Sequence, residues 1–159
     1  MPIVLVRVDC RLVHGQVLET WVPHTGANCL LVASDDLDVN PFMKSVMELA
    51  VPSSVHVVFR RVDEVAAAVS EIDRKKERAI LLCAALSDAL RIFRAGVRFP
   101  ALNIGNLHYG EGKAEVTPSV YFAPEDFEAV DCLSRLGVAV TVRSTPFEAA
   151  APYRGARGG

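Results

Sequence analysis

Short, mostly apolar runs recur along this chain at residues 3–8, 28–33, 55–59, 79–84, 101–104 and 138–142, and a helical pattern lies in each gap between them. This alternation constrains the fold more than any other feature. A parallel neighbour strand can be reached only by a crossover, and a crossover helix covers a face of the sheet. Strands that are apolar at nearly every position, as at residues 79–84, fit a sheet buried on both faces. The expected fold is therefore α/β, a three-layer α/β/α sandwich with a mainly parallel sheet of six or seven strands, a small run at 120–122 supplying the seventh.

The helices carry their own punctuation. Val17, Leu18, Trp21 and Val22 mark one face of a first helix, expected to close at Pro23 and Gly26. Asn40 followed by Pro41 reads as a cap residue and a first-turn proline. Met43, Val46, Met47 and Ala50 continue that face until Pro52. Asp63 and Ser87 are expected to cap the next two helices, with Val65, Val69 and Ile72, then Leu90 and Phe93, facing inward and Gly96 as the stop. The run Arg74-Lys75-Lys76 falls at a helix C-terminus, where the dipole favours positive charge, and reads as a solvated end. Pro124-Glu125-Asp126 opens the last helix, which turns Phe127, Val130, Leu133 and Leu136 inward and ends at Gly137. Residues 1–147 are expected to form one domain, and the aperiodic tail at 148–159 to lack fixed structure.

Composition excludes several function classes. At 159 residues, 51% of them hydrophobic and 23% charged, the chain is long and apolar enough for an ordered core. A formal charge of −2 lacks the basic excess of nucleic-acid binders. No apolar stretch reaches the length of about 18 residues that a membrane span needs, and a strand pattern begins too early to leave room for a signal peptide. The expected location is the cytoplasm. The four cysteines, Cys10, Cys29, Cys83 and Cys132, form no C-x-x-C pair, so neither structural zinc nor a disulfide framework is expected, and no metal or cofactor is read.

Chemistry concentrates between Val8 and Trp21. The first strand delivers the chain to Asp9, and a loop carrying Cys10, Arg11 and His14 precedes the helix start at Gly15. After a parallel strand, that loop lies outside the carboxyl end of the sheet, where open α/β folds hold ligands. A neutral imidazole is a competent nucleophile near neutral pH, which makes His14 the candidate acceptor. The amides of Gly15, Gln16 and Val17, at a helix start, are candidates to bind an anion, and Arg11 offers a forked donor to phosphate oxygens. Phosphoryl transfer asks mainly for positioning and distributed charge, so this set needs no metal. The relay further requires the His14 ring to be reachable with a guanidinium beside it. Asp9 would hold Arg11, bond a ring nitrogen or loop amides, or simply close the turn.

Other groups fall around the same end of the sheet. The glycine-rich loop at 105–112 brings Asn106 and His108, and Asp35 follows the second strand. Cys10 makes a poor acceptor, because the bulky Arg11-Leu12-Val13 stands where a phosphate-wrapping loop needs small residues. A tyrosine-phosphatase loop would need arginine where Gln16 stands. A receiver-domain reading of Asp35 and Asp36 fails because Arg60 and Arg61 occupy the place of the acceptor aspartate. His24 and His56 read as structural.

The run Arg7-Val8-Asp9-Cys10-Arg11-Leu12-Val13-His14-Gly15-Gln16-Val17, with Trp21 after it, resembles the signature of the mannose/fructose/sorbose-family EIIB component of the bacterial phosphoenolpyruvate-dependent sugar phosphotransferase system. That signature reads Arg-Ile-Asp-Asp-Arg-Leu-Ile-His-Gly-Gln-Val, then a tryptophan. Leu102-Asn103-Ile104-Gly105-Asn106-Leu107-His108-Tyr109 is similar to the family's Asn-Val-Gly-Gly-Met-His-Phe segment. The resemblance extends over about residues 2–147. It implies an α/β/α fold and a protein-N(pi)-phosphohistidine–sugar phosphotransferase whose acceptor matches His14. It also implies an EIIA protein as donor and membrane EIIC and EIID components that hold the sugar, so that the chain would sit in the cytoplasm or peripherally at the inner membrane without inserting. A regulatory phosphohistidine relay without transport, or a cleft that only binds a small anion, would use the same residues. Two positions depart from the pattern: Cys10 replaces the second aspartate, and Ser34-Asp35 replaces an Asn-Asp pair.

Overall fold

The computed structural model describes residues 2–38 and 40–153. Its strands are β1 (Ile3–Asp9), β2 (Cys29–Ala33), β3 (His56–Arg60), β4 (Ala79–Cys83), β5 (Ala101–Asn106), β6 (Ala114–Thr117), β7 (Val120–Phe122), β8 (Ala139–Val142) and β9 (Ala151–Pro152). Its α-helices are α1 (Val22–Thr25), α2 (Asp35–Asp38), α3 (Pro41–Ala50), α4 (Val65–Arg74), α5 (Leu86–Arg94) and α6 (Pro124–Arg135). The main sheet runs β3-β2-β4-β1-β5-β8-β9, and its first six strands are all parallel.

Apolar residues on both faces of β2 and β4 dictate the layers. Leu31, Ala33, Leu81 and Cys83 pack with Val65, Ile72, Ile92 and Leu133 of α4, α5 and α6. Leu30, Val32, Ile80 and Leu82 pack on the opposite face against Val17, Trp21 and Met47. Each such fully buried aliphatic side chain contributes about 1.5–3 kcal/mol. Helices thus flank the sheet on both sides, as the alternation requires.

The strand order also fixes where a ligand can lie. The chain leaving β1 crosses toward β2, whereas the chain leaving β5 goes on to β8 on the other side. Adjacent strands whose outgoing connections diverge open a crevice at their carboxyl ends. That crevice lies between Asp9 and Asn106, paired across β1 and β5.

Several local expectations are corrected. Pro23 does not end the first helix. A π turn at Val17–Trp21, in which the Val22 N–H reaches back to the Val17 carbonyl, leads directly into α1, and Gly26 ends it in the left-handed region at φ 70°. A wider turn tolerates a proline that has no N–H to give. The Asn40 cap is present, its side chain accepting from the Met43 N–H at 3.1 Å. Asp63 does not cap α4; a 3₁₀ turn at Val62–Glu64 precedes it, and Glu64 accepts from the Arg61 N–H at 3.1 Å. Ser87 lies inside α5, behind an Ala85 cap position without a side-chain bond. Val46 and Leu136 are exposed rather than inward.

The run at 120–122 is a strand, but it pairs with β6 in a separate antiparallel ribbon. The seventh strand of the main sheet is instead β9, antiparallel to β8, inside the tail expected to lack structure. An edge strand offers unpaired backbone groups, and Tyr153 anchors the segment: its N–H donates to Val140 O at 3.0 Å and its ring meets Phe122 edge-on at 5.3 Å. The rest of the tail, residues 154–159, lies outside the described residues. Among the described residues, no helix is long and apolar enough to cross a membrane.

Candidate functional site

Successive strand residues point to opposite faces, so Arg7 and Asp9 leave β1 together on the face opposite Val6 and Val8. Both are fully buried. The guanidinium donates twice to Asp9 Oδ2, from Nε at 3.1 Å and Nη2 at 3.0 Å. It also donates to Asn103 Oδ1 and Gln16 Oε1, each at 2.6 Å, and to the Arg143 carbonyl at 3.5 Å, and the Trp21 ring centroid lies 5.4 Å from Cζ. The β5 register makes room for this group. Arg7 pairs with Asn103 and Val8 with Ile104, but Asp9 pairs with Asn106, so Gly105 is an inserted residue in β5. A Cβ at Gly105 would fall 2.0 Å from Arg7 Nη2. Only glycine permits so close an approach.

Asp9 gathers the remaining donors. Its Oδ2 accepts from Asn106 Nδ2 at 2.9 Å and lies 2.7 Å from His14 Nε2, while Oδ1 accepts from the Arg11 N–H at 2.9 Å. Asn106 Nδ2 also donates to Gln16 Oε1 at 2.9 Å. Burial alone would raise the Asp9 carboxyl. The bonds from His14 and Asn106, the Arg7 charge and the Arg11 amide outweigh it and hold the group below the usual carboxylate range. Burial likewise lowers the Arg7 guanidinium from its ordinary value, against the pull of Asp9.

An ionised carboxylate only accepts hydrogen bonds, so the His14 proton sits on Nε2. In the neutral ring Nδ1 then keeps its lone pair, and among the described residues it has no hydrogen-bond partner. The ring is less open than the sequence reading requires: the side chain is 8% exposed and Nδ1 is covered. The preceding loop holds Leu12 at φ 56°, a left-handed conformation that costs a bulky residue about 1–2 kcal/mol.

Asp9, His14, Gln16 and Asn106 thus come together. Arg11 joins them only through its backbone; its guanidinium is exposed and unpaired among the described residues, and the cation paired with Asp9 is Arg7. The Val17 N–H is taken by the His14 carbonyl at 3.0 Å. Among the described residues, the Gly15 and Gln16 amides stay unpaired. Cys10 lies half-buried beside the cluster, its N–H donating to Asn106 O at 3.0 Å. Burial pushes its thiol up against a bond with the His108 backbone.

His108 is exposed, and its backbone is engaged, at the carbonyl by Lys113 Nζ at 3.3 Å and by the Cys10 thiol. Asp35 belongs to another group, accepting from the Val62 N–H at 2.9 Å and Arg91 at 3.2 Å. The sequence reading missed Arg7, Asn103 and Gly105 as parts of the site. A charge within an apolar strand, two residues before Asp9, was the available signal for the first.

Comparison with known proteins agrees with this architecture. The chain matches the PTS system sorbose subfamily IIB component over residues 3–155. It is 35% identical over 153 residues to the N-acetylgalactosamine-specific phosphotransferase enzyme IIB component 2 of Escherichia coli K12, covering 94% of this chain and 96% of that one. The mannose-specific EIIAB component of the same strain is 31% identical over 148 residues, which span 90% of this chain and 44% of that longer protein. The crystal structure of the IIBSor domain of the sorbose permease from Klebsiella pneumoniae superposes with a TM-score of 0.89 at 28% identity, covering 95% of this chain and 93% of that one. The chain therefore belongs to the sorbose/mannose family of EIIB components, phosphocarriers that act as protein-phosphohistidine–sugar phosphotransferases.

Proposed function

We propose that His14 accepts a phosphoryl group on Nδ1 from a phosphohistidine of an EIIA partner and passes it to a sugar held by membrane EIIC and EIID components, on the cytoplasmic side. The observation that carries this reading is the 2.7 Å contact between Asp9 and His14 Nε2, which leaves Nδ1 as the ring's bare nitrogen. In the first step the Nδ1 lone pair forms the new nitrogen–phosphorus bond while the donor's nitrogen–phosphorus bond breaks. The Nε2 proton stays in place, and Asp9 balances the positive charge that the ring gains. Positioning of this kind accounts for much of the catalysis of phosphoryl transfer. The unpaired Gly15 and Gln16 amides and the free Arg11 guanidinium are the donors available to the phosphate oxygens.

Because Nδ1 is covered, the donor reaches it only once the neighbouring chain gives way. The strained Leu12 turn is the segment best suited to move. The mannose-specific relative, named as an EIIAB component, supports an EIIA partner for this chain.

The test is to incubate the protein with phosphoenolpyruvate, the general phosphotransferase proteins and an EIIA component. One acid-labile, base-stable phosphate per chain is expected, mapped by peptide mass to His14 and by phosphorus NMR to Nδ1. Phosphate on Cys10 or His108, or none, overturns the reading.

Arg11 gives a second measurement. An exposed, unpaired side chain costs little to remove, so Arg11→Ala should melt like the unsubstituted protein. A charge-assisted hydrogen bond is worth about 1.5–3 kcal/mol, so rapid-quench transfer rates should fall roughly tenfold or more. Unchanged rates would reduce Arg11 to a surface charge.

A further inference from the structure

A second cluster lies at the opposite end of the sheet, where the parallel strands begin. Cys29 opens β2 and His56 opens β3, and the two are register partners. Cys29 also pairs with Ala79, the first residue of β4, and Glu77 stands two positions before it. Parallel neighbours in register share a face, as do residues two apart on an extended chain. The three side chains converge accordingly, with Sγ, an imidazole nitrogen and a carboxylate oxygen all within 4.8 Å of one another. Glu77 is brought there by the end of α4. Lys76 adopts φ 57°, and the Glu77 N–H turns back to Ile72 O at 3.1 Å.

Glu77 Oε2 is buried and 2.8 Å from His56 Nε2, yet among the described residues it meets no donor in hydrogen-bond geometry; the carboxylate's other tie is to the Cys29 thiol. A buried carboxylate oxygen without a donor is costly unless a cation meets it.

We propose that Cys29, His56 and Glu77 form a three-ligand site for a divalent transition-metal ion of the zinc type. Thiolate, imidazole and carboxylate are the ligands that zinc takes, at about 2.0–2.3 Å, and a set of three leaves the fourth position for water. The ion enters past His56, whose side chain is 51% exposed, while Glu77 at 13% and the buried Cys29 form the floor. Binding exchanges one proton for the metal: the Cys29 sulfur–hydrogen bond breaks, the sulfur–metal bond forms, and the proton leaves to solvent. The two anionic ligands then balance the two positive charges of the ion. The ligands lie 27 and 21 residues apart in the sequence, and only the sheet register gathers them.

Chelator-stripped protein titrated with Co²⁺ as probe, then with Zn²⁺, tests the site. One equivalent of Co²⁺ should produce a thiolate-to-cobalt charge-transfer band that Zn²⁺ bleaches. Cys29→Ser should abolish the band. His56→Ala, at an exposed position that the fold does not need, should weaken Zn²⁺ binding about tenfold or more. Cys10→Ser and His14→Gln should leave both readouts as they are, which separates this site from the phosphoryl site. No band in the unsubstituted chain, a band that survives Cys29→Ser, or unchanged affinity in His56→Ala overturns the proposal.

Discussion

The His14→Gln chain should take up no phosphate from EIIA, to the limit of detection, while melting within about 1 kcal/mol of the unsubstituted protein. The two halves of this expectation have separate causes. Glutamine can present an amide N–H toward Asp9 Oδ2, where His14 Nε2 lies at 2.7 Å, so the buried carboxylate keeps a donor. The ring contributes little to the cores, which are built from β2, β4 and the helices on either face. A carboxamide nitrogen, however, has its lone pair delocalised into the carbonyl and does not attack phosphorus. Loss of a nucleophile therefore removes the reaction rather than slowing it. Circular-dichroism melts and phosphate uptake, measured on one preparation, check both halves. Phosphate found on the variant would mean that a group other than His14 is the acceptor.

The layered fold was legible because it rests on periodicity, which survives in a single sequence. Runs such as 79–84 announce buried strands, and Asn40-Pro41 announces a helix start through side-chain chemistry alone. What was not legible depends on partners distant in sequence. Two residues of β9 carry no period; they form a strand because β8 would otherwise be an open edge and Tyr153 finds Phe122. The π turn before α1 is equally silent, since the pattern of Val17, Trp21 and Val22 suits α and π geometry alike. Pro23 then reads as a stop when it is an interior residue.

The candidate site divides in the same way. His14 and Asp9 stand out because they follow a buried strand directly, and strand-then-loop order is a sequence property. The guanidinium was assigned to Arg11, the nearest cation in the loop, whereas the structure pairs Asp9 with Arg7, hidden inside β1. Strand alternation puts residues 7 and 9 on one face, so the period of two itself carries this pairing. Asn103, Gly105 and Asn106 join from nearly a hundred residues away, through a register that no local pattern encodes. The cluster of Cys29, His56 and Glu77 is the extreme case, since its residues share no motif.

Arg7→Met should destabilise the protein by about 3–5 kcal/mol, because it strips the partner from a buried carboxylate and leaves the charge behind. Asp9 then loses two guanidinium bonds while fully buried, and Asn103 and Gln16 each lose their 2.6 Å donor. For a chain of this size the melting temperature should fall by about 2–4 °C per kcal/mol, hence roughly 6–20 °C. Arg7→Lys should recover little, since one ammonium cannot reach Asp9, Asn103 and Gln16 from three separate nitrogens as the planar fork does. Arg7→Met combined with Asp9→Asn should recover part of the loss, because the stranded charge is gone, and the shortfall from additivity measures the coupling of the pair. Gly105→Ala approaches the same group from the other side: its methyl would fall 2.0 Å from Nη2, so Arg7 must leave its place and stability should drop with the Arg7 side chain intact. Denaturant melts of these four variants, with the Asp9→Asn single variant to close the cycle, distinguish the causes. A loss below about 1 kcal/mol for Arg7→Met, within the range of ordinary surface substitutions, would mean that Asp9 is held by His14, Asn106 and the Arg11 amide alone, and that the buried guanidinium is not what keeps the carboxylate ionised beneath the imidazole.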